Sequence, residues 1–140
     1  MKKTFIILVI IFLINIPLTY YRISDDHYWT DQLMHFSGGF FTAMFFYYYL
    51  AGHLRAGTWF KNMVILVGTA ALIGALWEFA EYLADQTIRD VIWRNFAYQV
   101  RFGGDLKDTL SDLFFDVFGA VSFCIFLHLL RRGDSHEIKG

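Results

Sequence analysis

Eight carboxylates, Asp31, Glu78, Glu81, Asp85, Asp105, Asp108, Asp112 and Asp116, fall at or inside the ends of otherwise apolar stretches of a 140-residue chain. One charged side chain at the centre of a membrane helix costs about 2.5–3.5 kcal/mol on insertion scales, so acids kept there are read as functional by default. Their spacing narrows the reading. Asp31 and His35 are four apart, and Gly38 and Gly39 continue that face. Gly74, Glu78, Glu81 and Asp85 follow a four-three-four pattern, and Asp108, Asp112, Asp116 and Gly119 form a third series. Residues three or four apart share one helix face. At 1.5 Å per residue, Asp116 lies about 12 Å deeper than Asp108.

Carboxylates crowded into a low-dielectric site repel one another, and protons or a bound cation must offset that repulsion. The candidate metal ligands are Glu78, Glu81, Asp108, Asp112 and Asp116, with His35 or Asp31 as a general base for a reaction at the metal. Oxygen ligands with one imidazole suit Mg²⁺ or Mn²⁺; a second imidazole would make Zn²⁺ or Fe²⁺ more natural. His27, in an outer loop, is the candidate for that second imidazole, whereas His53 and His128 belong to the opposite membrane face. A plainer reading is polar glue, with protonated carboxyls hydrogen-bonding between helices. Asp31, Asp85 and Asp105 lie nearest water, and Asp31 and Asp108 also suit helix N-termini. Glu78, Glu81, Asp112 and Asp116 are too deep for helix-end solvation or capping.

Four apolar stretches position these residues. The chain is 56% hydrophobic and 20% aromatic, with one proline and a net charge of −1. Each stretch approaches the roughly 20 residues that cross a bilayer as a helix. The spans are expected at about 4–20, 31–54, 59–84 and 108–130. The fold class is therefore all-α, a single integral membrane bundle of four transmembrane helices. A short interfacial helix is expected between the third and fourth spans, where Ile88, Val91, Ile92, Trp93 and Phe96 mix with Arg89, Arg94 and Arg101. Gly103-Gly104 then turns the chain into the last span. Lys2 and Lys3 before an apolar run also suit a signal peptide, but no small-x-small cleavage site follows, so the segment reads as a retained first helix.

Lys2, Lys3, Arg55, Lys61, Arg131 and Arg132 share one side of such a bundle, which favours both termini in the cytoplasm and the acids at the extracytoplasmic face. A bacterial inner membrane fits this layout. No basic run suggests nucleic acid. Cys124 stands alone in an apolar stretch and forms no internal disulfide.

Three short segments resemble the small polytopic membrane proteins of the YjdF-like and VanZ-like families. They are Asp31-Gln32-Leu33-Met34-His35-Phe36, then Trp77-Glu78-Phe79-Ala80-Glu81, then Gly104-Asp105-Leu106-Lys107-Asp108-Thr109-Leu110-Ser111-Asp112 continuing through Asp116 to Gly119-Ala120. The YjdF-like likeness is the closer. VanZ-like proteins more often carry glutamine and asparagine at the positions of Glu81 and Asp116, so the present site is the more acidic. The resemblance implies a membrane topology and a site, and no reaction.

Three function classes follow. The first is a divalent-cation site acting on a lipid-linked or envelope substrate such as a lipid phosphate, with membrane lipids as partners. The second is proton or ion transport, or sensing, through the same carboxylates. The third is a structural or accessory role. No nucleophile or phosphotransferase signature decides for an enzyme, and four helices can enclose one site without oligomerisation.

Overall fold

The computed structural model describes residues 2–20, 28–54, 58–96 and 105–137. Five helices fill them: α1 Lys2–Tyr20, α2 Tyr28–Tyr49, α3 Trp59–Thr87, α4 Arg89–Phe96 and α5 Leu106–Glu137. No strand occurs among the described residues. Helices dominate because the apolar stretches lack internal breakers. Pro17 is the chain's one proline and falls in the last turn of α1.

The four long helices and the short helix after α3 match the expected order, with shifted edges. α2 begins three residues earlier than the expected second span and ends at Tyr49 rather than 54. Leu50 closes the helix: its carbonyl accepts both His53 N–H at 2.8 Å and Leu54 N–H at 3.0 Å. α3 runs to Thr87, and the Ile88 N–H bonds to Ala84 O at 2.8 Å before α4 starts. Asp105 opens α5 by accepting the N–H groups of Lys107 and Asp108 at 2.9 and 3.1 Å, a helix N-cap. Arg22, His27, Arg101 and the Gly103-Gly104 turn lie outside the described residues.

Among the described residues two helices, α3 and residues 106–131 of α5, are long and apolar enough to cross a membrane. Four such spans were expected. α2 falls short because Thr30, Asp31, Gln32, His35 and Tyr47-Tyr48-Tyr49 dilute its apolar run.

α2 and α5 form the most extensive helix contact; α3 packs on both, and α1 lies against α2. The core is built from small residues as much as large ones: Ala43, Ala70, Ala120 and Cys124 are buried beside Leu66 and Phe123. Rings lock α2 to α5, with Phe36 and Phe118 at 5.5 Å and Phe40 and Phe123 at 5.4 Å between centroids. The large apolar side chains point outward instead. Val64, Leu72 and Phe79 of α3 and Leu110, Phe114 and Leu129 of α5 are all more than half exposed. Small residues inside and bulky apolar ones outside is the arrangement of helices solvated by lipid. Hydroxyls follow the same logic: Thr69 donates to Ile65 O at 2.7 Å and Ser122 to Phe118 O at 2.8 Å, each satisfied on its own helix.

Candidate metal centre

Glycine decides how close the site's helices come. A Cβ on Gly39 would meet the backbone carbonyl of Asp116, one on Gly119 would meet the carbonyl of Phe36, and one on Gly74 would meet the Asp116 carboxylate. α2 and α3 thus each give up a side chain around Asp116, and α5 gives one up against the Phe36 backbone of α2. That approach brings His35 of α2 into the middle of the acids.

His35 is buried, with a side chain 6% exposed, and faces carboxylates from both ring nitrogens. Nδ1 lies 3.3 Å from Asp116 Oδ2. Nε2 lies 3.8 Å from Glu78 Oε1 and 4.0 Å from Asp31 Oδ1. Ligand atoms of Asp31, His35 and Asp112 all fall within 4.8 Å of one another, a separation that one metal ion can bridge. Asp112 is 3% exposed and the Glu78 side chain 9%. Glu78 Oε1 and Asp112 Oδ1 are nevertheless buried without a hydrogen-bond partner among the described residues. A buried acceptor left unpaired is costly, and a cation between these oxygens would satisfy both.

The other acids sort into different environments. Glu81 is half-buried one turn outward on α3 and takes a hydrogen bond from Trp77. Asp108, also half-buried, precedes Asp112 by one turn on α5. Neither belongs to the three-residue group, and nor do Glu78 and Asp116; of the five expected metal ligands Asp112 alone does, joined by His35 and Asp31. Asp85 pairs with Arg89 at 2.9 Å and Asp105 caps α5, so both have local roles. His53 is exposed and His128 packs at a tilt against Trp59, ring centres 4.9 Å apart, both remote from the acids.

Three contributors escape reasoning from sequence. Thr109 of α5 hydrogen-bonds Glu78 of α3, a pairing between helices that no spacing within one helix signals. The Trp77 bond to Glu81 is legible in retrospect as an i,i+4 pair. Thr42 is buried one turn beyond Gly38 and lines an apolar cavity of about 180 Å³ with Leu8, Ile11, Ile73 and Trp77, next to His35 and Asp116.

The arrangement is chemically asymmetric. When Nδ1–H donates to Asp116, the Nε2 lone pair faces Asp31 and Glu78. A carboxylate behind a histidine fixes its tautomer and ring orientation in many metal sites.

The family model described as predicted membrane protein (DUF2238) matches residues 2–133. The chain belongs to this family. The match takes in α1 to α4, nearly all of α5 and every residue of the site. An uncharacterized protein of Thermotoga maritima is similar to this DUF2238 chain, 26% identical over 124 residues, covering 88% of the chain and 60% of the relative. The chain therefore spans about 60% of that relative's length. No solved structure matches the chain.

Proposed function

We propose that this chain is a multi-pass membrane protein that binds one divalent cation, Mg²⁺ or Mn²⁺ by its donor set, between α2, α3 and α5. His35 Nε2, Asp31, Glu78 and Asp112 are the inner ligands. Asp116 orients the imidazole, and Glu81 and Asp108 form an outer acidic tier through which the cation enters. The observation that carries this reading is that two of the three buried, unpartnered carboxylate oxygens among the described residues, Glu78 Oε1 and Asp112 Oδ1, belong to acids close to His35.

Four spans, with both termini in the cytoplasm of a bacterial cell, complete the proposal. The likeness of the three acidic segments to YjdF-like proteins supports that topology. Held at a membrane face, the cation would polarise a phosphoryl oxygen or activate water against a lipid-linked substrate. Asp31 is the inner acid nearest water and stands as the general base through the oxygen that does not ligate; His35, engaged at both nitrogens once the cation is bound, could take that role only off the cation. Mg²⁺ and Mn²⁺ fit a site with one imidazole; Zn²⁺ or Fe²⁺ would require a second one.

Elemental analysis of detergent-purified protein tests the cation. Wild type is expected to hold close to one equivalent after loading with Mn²⁺ and desalting, and Glu78→Gln/Asp112→Asn to hold none. Metal absent from both, or equal in both, overturns the reading.

A proton relay is the second reading, favoured because His35 touches acids through both nitrogens. The polar trail ends below Asp116, where Ser122 is turned to its own backbone. Proton flux in vesicles that is abolished by Asp116→Asn without any metal requirement would establish it over cation binding.

A further inference from the structure

The other end of the bundle carries a second cavity, of about 430 Å³, enclosed by α2, α3 and α5. Along α5 its Arg131 is fifteen residues beyond Asp116, about 22 Å away at helical rise. Its lining combines apolar side chains such as Leu54, Leu66 and Leu127 with Asn62 and with Trp59, His128 and Arg131 toward the helix ends. No carboxylate lines it among the described residues.

Arg131 is held in place. Its Nη2 donates to the Tyr47 hydroxyl at 2.6 Å, and its guanidinium carbon sits 5.4 Å from the centre of the Tyr47 ring. A guanidinium has five N–H donors, and this bond uses one. An exposed arginine that is already oriented beside a largely apolar slot complements an anion attached to a hydrocarbon chain. Arginine is suited to phosphate through paired, charge-assisted hydrogen bonds. The slot lies at the helix ends, where headgroups of a surrounding leaflet would stand.

We infer that this cavity is a binding site for one anionic phospholipid, its phosphate on Arg131 and part of an acyl chain against Leu54, Leu66 and Leu127. The site is independent of the acidic centre and needs no cation there.

Native mass spectrometry of the full chain, released from nanodiscs of phosphatidylcholine with a minority of phosphatidylglycerol, tests the inference. The expected result is one retained phosphatidylglycerol in preference to phosphatidylcholine, and retention reduced about tenfold in Arg131→Gln, as for loss of a charge-assisted contact. Tyr47→Phe, which keeps the ring and removes the hydroxyl anchor, should reduce retention about threefold. Glu78→Gln/Asp112→Asn should leave it unchanged, whether or not that variant loses a metal. Displacement of the lipid by inorganic phosphate alone would show a site for a free anion and overturn the inference. So would equal retention of both lipids, or unaltered retention in Arg131→Gln.

Discussion

In the proposed site His35 has two roles, because its ring nitrogens meet different acids. Asp116 at Nδ1 sets the ring, and the acids at Nε2 stand where a metal would be shared. The two roles predict different losses. Asp116→Asn should weaken Mn²⁺ affinity about 10–100-fold while leaving one binding site, as observed when the carboxylate behind a liganding histidine is removed. Glu78→Gln removes a proposed ligand and should abolish saturable binding in the same measurement, competition against a fluorescent chelator. Affinity should rise with pH and fall on acidification, because carboxylates and imidazole must release protons before they ligate. An affinity that increases as pH falls would contradict the assignment of these side chains as ligands.

At the scale of the helix, contact between α2 and α5 rests on glycines that leave no room for a methyl group. Gly39→Ala and Gly119→Ala must each push a backbone carbonyl of the partner helix away. Overpacking of this kind destabilises by about 1–3 kcal/mol. Gly68 has nothing within 4 Å of an added Cβ, so Gly68→Ala should be neutral or stabilising by up to about 1 kcal/mol. Thermal unfolding in detergent, followed by helical circular dichroism, would separate the two classes. Equal Tm values for Gly39→Ala and Gly68→Ala would contradict the close approach. The glycine stripes were visible in sequence because Gly38 and Gly39 extend the Asp31–His35 face and Gly119 extends that of Asp116. The end of α2 was not visible: Leu50, Ala51 and Leu54 continue the apolar run through a turn made by backbone hydrogen bonds alone. Hydropathy reports which residues lipid or core will accept, and a turn among apolar residues leaves no mark in it.

Across the whole molecule, bulky apolar side chains face outward around a core of alanine, glycine and buried acid. That inversion is the physical basis for placing the bundle in lipid, and family membership over residues 2–133 agrees with it. The proposed topology puts Gly52 and Asn95 on opposite sides of the membrane. In a background with Cys124→Ala, a membrane-impermeant maleimide should label Asn95→Cys in intact spheroplasts and Gly52→Cys only after permeabilisation. The reverse pattern would invert the orientation, and labelling of both from outside would contradict four spans.

Three acidic faces were legible in the sequence because each follows the helical period. Which acids meet was not. That depends on how α2, α3 and α5 are rotated about their axes, and periodicity within one helix fixes no rotation relative to another. Hence Asp116 stands behind the imidazole, Glu81 and Asp108 stand a turn outward, and Asp31 joins the inner group. Pulsed electron paramagnetic resonance of the Mn²⁺-loaded protein, with histidine labelled by ¹⁵N, reads the central contact directly. The proposed site predicts hyperfine coupling to a single imidazole nitrogen that disappears in His35→Gln. Bound Mn²⁺ with no imidazole coupling, or a coupling that survives His35→Gln, would contradict it.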